Sequence, residues 1–243
     1  MKKTCLSLLI ILALGGLLSP ASSLAENTAS TPVPRDAKWL LRHEGFIEQA
    51  KKGGIDVLFV GDSITDHWRD RGSNVWEAFY VPLHAANFGI SSDRTQHVLW
   101  RIENGELSGI HPKVIVLMIG TNNTGKEKDK KTIRNTPAEV VEGVKAIVEE
   151  MRAKLPETKI LLLAIFPRAQ PGDPFRTEIN EINTGLARLD HPGTITYLDI
   201  GQKFLEPDGT LSRDIMSDLL HPTEKGYKIW ADAMNPTLDK MMK

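Results

Sequence analysis

Asp56-Val-Leu-Phe-Val-Gly-Asp-Ser-Ile-Thr65 is the stretch on which the reading of this chain turns. Five residues from Asp56 to Val60, mostly apolar, stop at Gly61-Asp62-Ser63, and a helix-compatible segment follows. A run without polar alternation predicts a strand covered on both faces, as in a parallel sheet. Ligands of open α/β sheets bind where the carboxyl end of such a strand meets the next helix. A serine there presents its hydroxyl at the sheet edge, near the positive end of the helix that starts with it. That placement suits a nucleophile whose attack creates an oxyanion. Asp and Ser are also ordinary helix N-caps, so these three residues need a base, an orienter and oxyanion donors from elsewhere in the chain.

Working outward, the same alternation of apolar runs and amphipathic stretches recurs. Strands are expected at 84–88, 114–119, 159–165 and 195–198. Helices are expected from Trp39 to Ala50, Thr95 to Asn104, Pro137 to Leu155, Arg176 to Leu189 and Thr223 to Met242, with short helical pieces around Trp68 and Trp76–Tyr80. Strands alternating with helices predict a single three-layer α/β/α domain over 36–243. Residues 1–25 carry Lys2 and Lys3, the apolar stretch Leu6–Leu18 and a small-residue Ser23-Leu24-Ala25, the pattern of a cleaved secretory signal peptide. Residues 26–35, polar and Pro-containing, are expected to form a flexible lead-in. The exported chain would be periplasmic or secreted, without stable membrane insertion.

The single cysteine, Cys5, lies inside that leader, which excludes disulfides, a thiol nucleophile and Cys-ligated zinc from the mature chain. Losing Lys2 and Lys3 leaves 28 of 30 basic residues against 31 acidic ones, about −3 with histidines neutral. Such a balance lacks the electrostatic footprint of a nucleic-acid partner. No ligand cluster calls for a metal, and no cofactor is expected.

Three strands end in punctuated loops, Gly61-Asp62-Ser63, Asn87-Phe88-Gly89 and Gly120-Thr121-Asn122. In a parallel sheet these ends share an edge. The Ser63 and Gly89 amides and the Asn122 side chain are candidate oxyanion donors, although Gly89 and Asn122 taken singly serve equally well as turn residues. Among the histidines, His43 reads as packed in a helix, His97 as a helix-surface residue, and His67 as a possible pocket wall on the nucleophile's own helix. His221 differs, because Asp218-Leu-Leu-His221 sets a carboxylate three residues before an imidazole. One ring nitrogen can be held by that carboxylate while the other faces a serine.

Together, Gly-Asp-Ser (61–63), Asn-Phe-Gly (87–89), Gly-Thr-Asn (120–122) and Asp-x-x-His (218–221) resemble, in order and spacing, the four sequence blocks of the SGNH (GDSL) hydrolases. The resemblance implies a flavodoxin-like five-stranded parallel sheet of order 2-1-3-4-5. It also implies an esterase with Ser63, His221 and Asp218 as its triad and Ser63, Gly89 and Asn122 as its oxyanion hole. Asp-Val-Leu-Phe-Val-Gly-Asp-Ser (56–63), His-Val-Leu-Trp-Arg (97–101), Asn-Gly-Glu-Leu (104–107), Lys-Val-Ile-Val (113–116) and Gly-Thr-Asn-Asn (120–123) extend the likeness to the platelet-activating factor acetylhydrolase catalytic subunits. Those relatives form dimers, so a homodimer is a further implication.

Three departures from that group stand out: the leader, Ser91-Ser92 in place of two glycines, and a charged insertion within 124–135 that includes Gly-Lys-Glu-Lys-Asp-Lys-Lys (125–131). The insertion reads either as a solvated loop or as a rim contacting a polar substrate. The substrate implied is a small-molecule or polysaccharide ester, with removal of acetyl from O-acetylated carbohydrate the leading expectation. Phospholipid or general short-chain ester hydrolysis is the alternative, and a non-catalytic glycan-binding module the reading from another class.

Overall fold

Five strands, β1 (Val57–Gly61), β2 (Ala85–Gly89), β3 (Val114–Met118), β4 (Lys159–Leu163) and β5 (Ile195–Leu198), pair in parallel in the order β2-β1-β3-β4-β5. The structure is a computed structural model describing residues 27–243; the expected signal peptide lies outside the described residues. Around the sheet lie α1 (Ala37–Lys52), α2 (Ser63–Asp66), α3 (Ser73–Phe79), α4 (Thr95–Glu103), α5 (Pro137–Lys154), α6 (Pro174–Leu186) and α7 (Glu224–Met241). The expected three-layer fold and strand order are what the chain adopts.

Successive strand residues point to opposite faces, and both faces are apolar, so each builds its own core. Leu58, Val60, Phe88, Ile115, Leu117, Ile160 and Leu162 pack against α1, α4, α5 and α6. Val57, Phe59, Val114, Val116, Leu161 and Leu163 pack against α2, α3 and α7, where Trp68, Tyr80, Tyr227 and Trp230 fill the space. Helix starts follow local chemistry: Asp36, Thr136, Asp173 and Thr223 each accept a backbone N–H as N-caps, and Thr136 with Glu139 forms a capping box. Among the described residues, no helix is long and apolar enough to cross a membrane.

The register matters most for function. Gly61 stands opposite both Gly89 and Met118, so the loops after the three strands leave the sheet at one level and share an edge.

The expectation of a flexible lead-in is corrected from residue 27 onward. Asn27 caps a 3-10 turn over Thr28–Ser30 and donates to the Glu139 carbonyl at 3.3 Å; the fully buried Ala29 offers its carbonyl to Thr95 Oγ1 at 2.7 Å. Further along, Arg35 donates to the Ser91 carbonyl and to the Asp93 carboxylate. Polar composition suggested solvation, but the segment is tied to α5 through Asn27, to α4 through the Ala29 carbonyl and to the loop before α4 through Arg35.

Candidate active site

Ser63 begins α2 directly after β1, with Asp62 as the N-cap accepting from the Ile64 amide at 3.0 Å. His221 precedes α7, 158 residues later, on a segment pinned on both sides. The Thr223 amide donates to the Ile215 carbonyl and the Ala169 amide to the Leu219 carbonyl. The two regions meet through the fully buried Tyr227, whose hydroxyl donates to the Ile64 carbonyl at 2.7 Å. Helix α7 thus grips the turn that carries the serine. The result is a chain of contacts: Ser63 Oγ lies 2.9 Å from His221 Nε2, and His221 Nδ1 lies 2.7 Å from Asp218 Oδ2. Ser63 is 7% exposed.

Burial would push the Asp218 carboxyl up, but the His221 ring, the His221 and Leu220 amides and the imidazole charge hold it down, to about 2. It therefore stays anionic across the working range of most enzymes and keeps the imidazole oriented with Nε2 toward the serine. The ring of His67, a residue read as a possible pocket wall, lies edge-on to His221 with centroids 5.4 Å apart.

The Ser63 amide opens α2, where helical N–H groups have no intrahelical acceptor. Asn122 sits in the turn after β3 and donates through Nδ2 to the Asp93 carbonyl at 2.9 Å, which fixes the amide and leaves its second hydrogen. The Gly89 amide is differently placed from the simple expectation, because it donates to Asn87 Oδ1 at 2.9 Å. Gly89 is nonetheless sterically required: a Cβ there would stand 2.5 Å from the Asp66 nitrogen and press on α2.

Behind Asn122 lies a charged cluster that the sequence reading did not identify. Asp93 accepts from Arg35 (2.9 Å), Trp39 Nε1 (2.7 Å) and Arg101 Nε (3.1 Å), and Arg101 is also bound by Glu106. Arg101, Glu106 and Asp93 are all fully buried. Burial pushes the Asp93 carboxyl up, against the pull of Arg101 and Arg35. The signal available in the sequence was a charge, Arg101, inside the otherwise apolar run of α4. His97 is likewise corrected from surface to cap, its Nδ1 accepting from the Arg94 amide at 2.9 Å. Burial and the neighbouring Arg35, Arg94 and Arg101 lower its pKa to about 3, so it stays neutral.

Asp62 is fully buried, and burial drives its pKa up to about 7, helped by Asp93 and opposed by the Ile64 amide and Arg168. A carboxyl with a raised folded pKa binds more protons in the native than in the unfolded state, so its contribution to stability is lost as pH rises from about 4 toward 7. Asp62→Asn keeps an N-cap but not the titration. Urea unfolding between pH 4.5 and 7.5 should therefore show the variant gaining on the parent by up to ~1.4 kcal/mol per pH unit. Parallel curves would show that Asp62 is ionised throughout.

Among the described residues no group of three or more His, Cys, Asp or Glu is placed to hold a metal ion. What the arrangement can do chemically is deprotonate a serine by a carboxylate-held imidazole, beside fixed hydrogen-bond donors.

Comparison with known proteins agrees with this geometry. Residues 59–229 match the GDSL-like lipase/acylhydrolase family. The chain is 36% identical over 224 residues to platelet-activating factor acetylhydrolase IB subunit alpha1 of Homo sapiens, covering 89% of this chain and 92% of that protein. It is 38% identical over 200 residues to the alpha2 subunit of Rattus norvegicus, covering 82% of each. Its fold is similar to a GDSL-like lipase from Bacteroides thetaiotaomicron (TM-score 0.64, 18% identity, 84% of this chain and 96% of that one). It is also similar to a catalytic mutant of Axe2, an acetylxylan esterase from Geobacillus stearothermophilus (TM-score 0.60, 22% identity, 78% and 94%). With four motif blocks converging on one sheet edge, the chain belongs to the GDSL-like lipase/acylhydrolase family of SGNH hydrolases and is a carboxylic ester hydrolase.

Proposed function

We propose that this chain is a serine esterase that removes short acyl groups, acetyl above all, from oxygen esters of carbohydrate, with Ser63, His221 and Asp218 as its triad. The observation that carries the reading is the unbroken Ser63–His221–Asp218 contact chain at 2.9 and 2.7 Å. His221 takes the Ser63 proton as the oxygen attacks the ester carbonyl, while Asp218 stabilises the imidazolium that forms. The oxyanion rests on the Ser63 amide and the free Asn122 hydrogen, with the Gly89 amide joining when it shares its hydrogen between Asn87 and the substrate. His221 then protonates the leaving alkoxide, and water repeats the sequence to release the acid. We place this activity outside the cytoplasm, with residues 1–25 as the leader.

Acetyl is favoured because the named relatives are acetylhydrolases and an acetylxylan esterase shares the fold. The second reading, hydrolysis of a short-acyl phospholipid, is supported by the relatives at 36–38% identity, whose names specify platelet-activating factor. Turnover of p-nitrophenyl acetate against the octanoate, then of acetylated xylan against a short-acyl phospholipid, separates them. Acetate and xylan should be preferred; faster octanoate cleavage overturns the acetyl assignment, and preferred phospholipid cleavage selects the second reading.

Asn122→Ala should lower kcat by about 10²–10³, roughly 3–4 kcal/mol, with KM little changed, as for loss of one oxyanion donor. A fall of less than about threefold would remove Asn122 from the oxyanion hole.

A further inference from the structure

The charged insertion is solvent-exposed at its tip but internally bonded. Residues 124–135 fold back on themselves, with the Glu127 amide donating to the Thr132 carbonyl at 2.8 Å and the Arg134 amide to the Gly125 carbonyl at 2.9 Å. Asp129 ties the tip by accepting from the Lys131 and Thr132 amides. Its base is bolted down: the Glu127 carboxylate takes the Arg94 guanidinium through both oxygens (2.6 and 3.1 Å), and the Gly125 amide donates to Glu178 Oε2 at 3.1 Å. Arg134 Nη1 donates to the carbonyl of Asn122 itself at 3.0 Å. This hairpin is therefore a fixed wall rising from the loop that carries Asn122.

Between the wall and the first turn of α6 lies a cavity of about 460 Å³, lined by Lys126, Lys130, Ile133, Pro174, Phe175 and Glu178 among others. Ile133 is 61% exposed, a large apolar side chain without cover. The Phe175 ring is fixed edge-on against Gly125, where a Cβ would come within 2.8 Å of it. The Arg168 guanidinium lies 3.9 Å from the ring centroid. Arg168 also reaches the Thr121 carbonyl at 3.4 Å, which links Phe175 to the turn that carries Asn122.

We propose that this cavity is a subsite for a sugar unit of the acylated chain, next to the unit that carries the ester; the proposal rests on the carbohydrate reading above. A pyranose ring has apolar faces and a belt of hydroxyls, which match the Phe175 and Ile133 surfaces and the Lys126 and Lys130 donors. The carboxylates beside them are already engaged, Glu127 by Arg94, Asp173 by the Phe175 amide, Glu178 by the Gly125 amide. A hydrocarbon chain would offer the exposed Lys126 and Lys130 ammonium groups no hydrogen-bond acceptor.

The test uses the full chain, Phe175→Ala, Phe175→Trp and the double variant Lys126→Ser/Lys130→Ser, all checked for an unchanged unfolding midpoint. Calorimetry with unacetylated hexasaccharides of xylose, glucose, mannose and N-acetylglucosamine should find at least one that binds. Phe175→Ala should weaken that binding about tenfold, and Phe175→Trp should restore it. The double variant should weaken it by a smaller factor. For acetylated oligosaccharide relative to p-nitrophenyl acetate, kcat/KM should fall about tenfold in Phe175→Ala. Absence of any sugar binding, or equal losses on both esters, overturns the subsite. Sugar binding that depends on Phe175 in a chain that cleaves no ester would support the subsite while sinking the esterase reading.

Discussion

Ser63→Ala is expected to abolish ester turnover, with kcat falling by on the order of 10⁴–10⁶ while the unfolding midpoint stays within about 0.5 kcal/mol of the parent. The magnitude follows from the cooperative nature of such a site. In the mechanism proposed above, loss of the hydroxyl leaves His221 no proton to take and Asp218 nothing to stabilise, so the whole acyl-transfer route disappears rather than one hydrogen bond. The remaining donors can still polarise a carbonyl, which is why a small residual rate over water persists in enzymes of this type. His221→Ala should fall as far as Ser63→Ala, and the double variant no further, because residues that act as a unit lose their effect once. Asp218→Asn should be severe but milder than either. Burst kinetics with p-nitrophenyl acetate provide the check: the parent should release a burst stoichiometric with enzyme if deacylation limits, and Ser63→Ala none. Retention of more than about 1% of the parent rate in Ser63→Ala would remove the serine from the chemistry.

The second large effect is structural. Glu106→Gln preserves shape but removes one of two buried anions, Asp93 and Glu106, that face the buried Arg101 and the partly buried Arg35. Removing one partner of a buried ion pair leaves charge without compensation and typically costs about 3–5 kcal/mol. Both Arg101 and Glu106 have side chains fully out of water, so solvent screening offers no discount. The cluster also has little slack, since Arg101 Nη2, Glu106 Oε1 and His43 Nδ1 already lack hydrogen-bond partners. Urea unfolding at neutral pH measures the loss directly; a change under about 1 kcal/mol would mean that neighbours reorganise to accept the lone guanidinium. Because the Asp93 carbonyl seats Asn122, the variant should lose kcat as well as stability.

How much of this was readable beforehand can be judged residue by residue. The strands announced themselves because burial on both faces demands unbroken apolar runs. The observed ends of the long helices fall within about two residues of expectation except at the end of α6, where the α-helix closes at Leu186 and Ala187–Leu189 continue as a 3-10 turn. The strand order and the triad assignments came from the resemblance to SGNH hydrolases, not from periodicity. Asp218-x-x-His221 was legible because its two partners are close in sequence and their geometry is local.

What escaped was long-range and polar. Nothing in the composition of 27–35 says that it lies across α4 and α5, since its anchors, the Glu139 carbonyl and the Thr95 hydroxyl, are more than sixty residues away. The Gly89 amide turned toward Asn87 for an equally local reason, an Asn side chain reaching two residues ahead, which a motif-level reading overlooks. The exposed lysines of the insertion are compatible with either reading of it; what its sequence does not reveal is the anchoring of its base, through Glu127 to Arg94 and through Arg134 to the Asn122 carbonyl.

The hydroxyl of Tyr227 resting on the Ile64 carbonyl has a consequence for biosynthesis. Ser63 precedes His221 by 158 residues, and Ile64 precedes the tyrosine that clamps its turn by 163. A nascent or prematurely terminated product that stops short of these residues carries a harmless serine. With the triad proposed above, hydrolytic competence therefore waits until the chain has been made through Tyr227, and a truncation before His221 should silence the protein.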